Sequence, residues 1–299
     1  MKEKRKKRVG KNGSKPGGVR IGLALSGGSA VGIAHVGAVR ALREAGIGIE
    51  CVVGTSAGSV VAACVAFGVP EEKMIEVSRK LSWSNVSEFG YSKLGLNSNR
   101  PVGDLVKKLV GHVRIEDARI PLAIVATDID TGEKVVFRKG DLAEAVMAST
   151  CIPGYFVPVE IDGRRLVDGG IVENLPMTTL RSMRPRVPVG VDLGYWRTLQ
   201  STKTILDVIT NSYSILVGSQ EDSSKGDRGI VVRPHLEGFS ISDFRRMDEL
   251  IDIGCRAMHE RIPSIRRRSL ASRLSPFNLV RFVTGMFGIG LSPRRKRRS

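Results

Sequence analysis

Two apolar runs near the start of the chain each feed a glycine-rich turn and then a helix, and this repeated unit constrains the fold more than any other feature. Val19 to Leu25 leads into Ser26-Gly27-Gly28-Ser29-Ala30-Val31-Gly32 and the apolar-periodic stretch Ile33 to Ala45. Ile49 to Val53 leads into Gly54-Thr55-Ser56-Ala57-Gly58 and the helix-like Ser59 to Phe67. Alternating strand and helix signals of this kind predict an α/β fold, and 299 residues with 41% hydrophobic content suffice for one large core rather than two domains.

The two turns carry chemistry as well as geometry. A strand that turns sharply into a helix leaves the hydroxyl of Ser56 at a helix N-terminus, where flanking glycines permit close approach and the helix dipole favours developing negative charge. Ser56 is the candidate nucleophile. The earlier turn, Ser26 to Gly32, aims backbone N–H groups at one spot, suited to a phosphate or to the oxyanion of a carbonyl under attack. A nucleotide-binding loop is the weaker reading, because no G-K-[ST] follows and the glycine spacing departs from G-x-G-x-x-G. Further on, the hairpin-like pair Pro158 to Ile161 and Arg164 to Val167, joined at Asp162-Gly163, ends in Asp168-Gly169-Gly170. Glycines after Asp168 let the chain fold close to a neighbouring loop, as a base within about 3 Å of a serine hydroxyl requires.

Taken together these segments resemble the patatin-like phospholipase family. The resemblance covers most of Val19 to about Val191, including Pro121-Leu122-Ala123-Ile124-Val125-Ala126-Thr127-Asp128 and Ala148-Ser149-Thr150-Cys151-Ile152-Pro153-Gly154-Tyr155-Phe156. It implies a three-layer α/β/α fold with a mostly parallel central sheet and an acyl hydrolase with a Ser-Asp dyad. Ser56 then takes the nucleophile role, Asp168 the general-base role, and Gly27, Gly28 and Ser29 the oxyanion hole. No metal or organic cofactor is implied. The substrate would be a lipid or other fatty-acyl ester, cleaved through an acyl-serine intermediate. An aspartate with an ordinary pKa of about 3.9 is a weak base, so a dyad without histidine predicts a desolvated Asp168 with a raised pKa. One position departs from the family: Val31 stands where Arg or Lys usually precedes the last glycine of the loop. The alternative it raises is a membrane-surface adaptor on the same fold, with weak or no catalysis.

An α/β-hydrolase triad built from Ser56, Asp168 and either His235 or His259 has the right chain order but the wrong position, since Ser56 is preceded by room for only two strands. Those two histidines, with His35 and His112, are expected to be core or surface residues. Cys51, Cys64, Cys151 and Cys255 lack C-x-x-C spacing, so neither a metal site nor a disulfide framework is expected, and free thiols in a reducing cytosol are the simpler account. Asp128 and Asp130 are expected to form a turn before Lys134 to Phe137. Glu71 to Leu81, Pro101 to Val110, Thr204 to Val217 and Asp243 to Arg261 predict helices, and Ser82 to Asn99 a polar loop.

Charge divides the chain. Residues 1–20 hold nine Lys or Arg against Glu3, a net +8, residues 261–299 hold eleven with no acid, and −2 of the total +17 is left for residues 21–260. We therefore expect a basic arm over 1–18, the acyl hydrolase domain over 19–262 and a basic and apolar tail over 263–299. A nearly neutral body makes nucleic acid an unexpected partner, while the tails suit an anionic membrane surface. Residues 1–18 lack the apolar core of a signal peptide, and the apolar stretch Phe277 to Leu291 is interrupted by Arg281 and glycines, so an interfacial segment fits better than a transmembrane helix. These features predict a cytoplasmic protein associated with membranes peripherally. Oligomeric state leaves no mark in the sequence.

Overall fold

A computed structural model of the chain describes residues 18–82, 86–194, 201–219, 229–240 and 244–273. The two leading units form as expected. Strands β1 (Arg20–Leu25) and β2 (Gly48–Thr55) pair in parallel from Arg20↔Gly48 to Leu25↔Gly54, helix α1 (Ala34–Glu44) crosses between them, and helix α2 (Ala57–Phe67) leaves β2. Among the described residues nine more strands follow: β3 (Glu88–Ser92), β4 (Gly95–Ser98), β5 (Leu122–Asp128), β6 (Lys134–Phe137), β7 (Gly154–Phe156), β8 (Val159–Ile161), β9 (Arg164–Asp168), β10 (Pro188–Val191) and β11 (Ile230–Val232). The main sheet runs β11-β10-β1-β2-β5-β9-β8, with β6 also paired to β5. Pairings from β11 through β5 are parallel, whereas β9 is antiparallel to both β5 and β8.

Both faces of this sheet are covered, which explains the unbroken apolar runs in its strands: all seven residues of β5 are buried. Alternation along each strand sorts the core into two parts. Leu23, Leu25, Val52, Leu122 and Ile124 pack with α1, α2 and the helix Met247–Arg273 on one face. Ala24, Val53, Ala123 and Val125 face the other way, where small residues let Met177 and Leu180 of the helix Met177–Ser182 sit close to the sheet. The fold is therefore a mostly parallel α/β sheet with helices on both sides.

Two expectations differ from the structure. The segment 82–99 is not simply a polar loop, because β3 and β4 form a hairpin that joins β7 in a second, three-stranded sheet. Ser, Asn and Gly have little strand preference of their own, and it is the pairing of Gly95 with Gly154 and of Asn97 with Phe156 that makes this backbone extended. The helix expected over Asp243 to Arg261 spans Met247–Arg273, well past Arg261. Ile262, Ile265 and Ser269 are buried along it, so tertiary packing carries the helix through Pro263, a residue that disfavours a helix interior. The other helices expected from the sequence form at Glu71–Ser78, Arg100–Val110 and Ile205–Ser219.

Candidate active site

Ser56 is the single residue between the end of β2 and the start of α2. Its backbone has φ 51° and ψ −128°, a region L-residues seldom occupy, and such a conformation costs of order 1–3 kcal/mol unless its surroundings enforce it. The enforcement is visible. The Ser56 N–H donates to Ser149 Oγ at 2.9 Å, and that hydroxyl donates to the Val125 carbonyl at 2.6 Å. The Ser56 carbonyl accepts from the Ser59 hydroxyl at 2.6 Å and from the Ser59 N–H at 2.8 Å. Gly54 and Gly58 are needed for close approach: a Cβ on Gly54 would overlap the Gly58 carbonyl, and one on Gly58 would overlap the carbonyl oxygens of Leu25 and Ser26. The G-x-S-x-G spacing thus describes how tightly β1, β2 and α2 meet.

Register brings Asp168 to the same place. Thr55 pairs with Val125 from one side of β5, and Asp168 pairs with Ala126 from the other. Ser56 and Asp168 therefore flank β5 at one level, two strand spacings or about 10 Å apart in backbone. The Asp168 backbone is fixed by its N–H to the Cys151 carbonyl at 2.8 Å and by the Thr127 hydroxyl on its own carbonyl at 2.9 Å. Its side chain is fully buried, and Oδ1 accepts the Gly170 N–H at 2.8 Å. Burial pushes the carboxyl up to about 6, against the opposing pull of the Ser56 hydroxyl, the Gly170 N–H and the Tyr213 hydroxyl. Oδ2 is buried with no hydrogen-bond partner among the described residues.

The glycine loop closes the site from β1. Gly27 faces the Cβ of Ser56, but its N–H donates to the Asn174 carbonyl at 3.3 Å. Gly28 is the N-cap of the short 3-10 helix Ser29–Ile33, so the N–H groups of Gly28 and Ser29 precede that helix's first internal hydrogen bond. Buried His35 donates Nε2–H to the Ser26 carbonyl at 2.8 Å, and burial lowers its pKa to about 4, which keeps it a neutral brace for the loop. Val31 is 2% exposed and packed in the main core, a position with no room for a free cation. A cleft of about 970 Å³, open solvent at its mouth included, takes in Ser29 and Ser56 and is otherwise walled by such residues as Val60, Val102, Leu105 and Phe156.

The remaining titratable candidates lie elsewhere. His259 contacts Glu44 at 2.9 Å, and His112 and His235 are exposed. Asp128 makes the turn expected of it, its Oδ1 accepting the N–H groups of Asp130 and Thr131. Cys51, Cys64 and Cys151 are buried, and all four cysteines are free. Sequence reasoning singled out neither Tyr213, carried to Asp168 by the helix Ile205–Ser219, nor a role for Ser149, and no local pattern marks either. It also passed over Cys255 and His259, whose spacing of four residues was a visible signal and which meet Glu44 in space.

The chain belongs to the patatin-like phospholipase family, whose family model matches residues 23–181. Its curated relatives include an uncharacterized NTE family protein of Mycobacterium tuberculosis, 37% identical over 177 residues that make up 58% of this chain and 49% of the relative. A lysophospholipase NTE1 of Pyricularia oryzae is 26% identical over 269 residues, 79% of this chain and 18% of that protein. Among solved structures, VipD from Legionella pneumophila aligns with a TM-score of 0.45 at 15% identity over 84% of this chain and 68% of that one. The chain spans about half the length of the mycobacterial relative and about a fifth of the fungal one.

Proposed function

We propose that this chain is a lipid acyl hydrolase of phospholipase A or esterase type that works through a Ser-Asp dyad. Ser56 Oγ attacks the ester carbonyl while its proton passes to Asp168, the N–H groups of Gly28 and Ser29 hold the oxyanion, and water then releases the acyl group from Ser56. Gly27 shapes this loop rather than donating, because its N–H is already engaged. The observation that carries the reading is a serine with strained backbone, lining the apolar cleft, whose side chain acts on a fully buried carboxylate with a pKa, at about 6, that suits a base near neutral pH. The apolar cleft beside Ser56 supports a fatty-acyl substrate.

A serine-reactive fluorophosphonate tests this directly. Labelling of the wild-type chain that disappears in Ser56→Ala and drops steeply in Asp168→Asn is the expected result. Labelling that persists in folded Ser56→Ala would remove Ser56 from the mechanism, and a folded wild type that takes no label would favour the adaptor reading.

The basic tails extend the proposal to an anionic membrane surface. Residues 1–17 and 274–299 lie outside the described residues, but the helix Met247–Arg273 already presents Arg261, Arg266, Arg267 and Leu270 to solvent. Lys and Arg near an anionic surface contribute about 1 kcal/mol each, so such a cluster gives useful affinity in a body of nearly neutral charge. No helix among the described residues is long and apolar enough to cross a membrane.

A further inference from the structure

Away from Ser56, three side chains of different chemistry converge on the seam between α1 and the helix Met247–Arg273. Glu44, at the end of α1, offers a carboxylate oxygen, Cys255 a sulfur and His259 an imidazole nitrogen, and these atoms all lie within 4.8 Å of one another. Cys255 and His259 are four residues apart, so both project from one face of their helix. The seam itself is built backbone to backbone. A Cβ on Gly37 would overlap the Ile251 carbonyl, and one on Gly254 would overlap the Ala34 carbonyl, so the two helices cannot slide apart or together without losing this contact. The spacing of the three donors is therefore set by rigid elements rather than by loops.

We propose that Glu44, Cys255 and His259 form a binding site for a divalent metal of the zinc class, which clamps the C-terminal helix onto α1. One sulfur, one nitrogen and one carboxylate oxygen match the ligands zinc takes, at about 2.3, 2.0 and 2.0–2.2 Å respectively. A tetrahedral ion at those distances holds its ligand atoms roughly 3.3–3.7 Å apart, so side-chain adjustments of about 1 Å complete the site, with water as fourth ligand. Glu44 and His259 are already 2.9 Å apart and each 48% exposed, and Cys255 is half-buried, so an ion reaches them without any opening of the fold. Cys255 is also the cysteine that differs from the other three, which are all buried. Arg40, whose charge reaches Cys255, is engaged by Glu71 and lies 3.6 Å from Asp252, and Arg266 is held by the Ala45 carbonyl at 3.1 Å. Since α1 directly follows the glycine loop and the other helix ends in the arginine-rich segment, the metal would tie the loop's supporting helix to the basic C-terminal region. The ion takes no part in the chemistry at Ser56, and this site stands or falls independently of the hydrolase reading.

The test uses the full, reduced chain freed of metal. Titration with cobalt(II) is expected to give a thiolate-to-cobalt charge-transfer band saturating at one equivalent, with zinc displacing the cobalt and raising the melting temperature. Cys255→Ser should abolish the band, and His259→Ala should weaken zinc binding at least tenfold, since losing a ligand costs more than the 10–100-fold typical of an outer-shell change. Glu44→Gln serves as the third variant, with circular dichroism confirming that each is folded, and Ser56→Ala should bind as the wild type does. No charge-transfer band in the wild type, a band that persists in folded Cys255→Ser, or zinc affinity unchanged in both His259→Ala and Glu44→Gln overturns the proposal.

Discussion

Replacing Asp168 with Asn should make the protein more stable and less active at once, and the size of the stability gain follows from its burial. The carboxyl is fully buried and its pKa is pushed from 3.8 to about 6. A shift of about two units corresponds to about 3 kcal/mol, at 1.36 kcal/mol per unit. The sign is that of a raised acid: the folded state binds its proton more tightly than the unfolded one, so stability is fully present below pH 3.8, falls as pH rises through about 6, and stays reduced above it. Asn carries no charge at any of these pH values and can still accept the Gly170 N–H. Urea unfolding of both proteins should therefore show Asp168→Asn more stable by up to about 3 kcal/mol at pH 8, with the gap closing towards pH 3.5. Ester hydrolysis should fall by about 10²–10⁴ in the same variant, the usual worth of a positioned base. Wild-type kcat/KM should rise with pH to a plateau with its inflection near 6 rather than 4. A stability difference that does not change between pH 3.5 and 8 would refute the reasoning, because it would mean that the carboxylate is not ionised against its surroundings.

Other perturbations probe the parts around this carboxylate. Tyr213→Phe removes a hydroxyl that holds the Asp168 pKa down, so the acid limb of the kcat/KM profile should move upward by up to about one pH unit, the worth of one hydrogen bond. Ser149→Ala leaves the buried N–H of Ser56 without its partner and should cost about 1–3 kcal/mol in urea unfolding, with slower fluorophosphonate labelling as the strained turn relaxes. Deleting residues 274–299 should reduce sedimentation with anionic liposomes, and high salt should weaken binding of the full chain, since the attraction is screened beyond about 10 Å at 0.1 M ionic strength.

Local sequence marked the turns around Ser26 to Gly32 and Ser56 because each turn is local. An apolar run followed by a glycine turn and an apolar-periodic stretch has few ways to fold, and β1 with α1 and β2 with α2 form where those patterns stand. Ser56 was legible because the glycines on either side are demanded by backbone contacts of its own turn. The aspartate turn at 162–163 was legible for the same reason, with φ 52° at Asp162 and φ 75° at Gly163. The segment 82–99 was not, since its strands exist only where β7 offers them a partner.

What the sequence settled by itself was the presence of a serine elbow, a glycine loop and an aspartate turn within one α/β chain. Their meeting was decided by tertiary structure, through the register that sets Thr55 and Asp168 against neighbouring residues of β5. Ser149 and Tyr213 act on Ser56 and Asp168 from 93 and 45 residues away, and Glu44 reaches His259 across 215. Propensity and periodicity fix conformation over a few turns of chain, whereas hydrogen bonds and burial depend on which distant segment the packed core brings alongside.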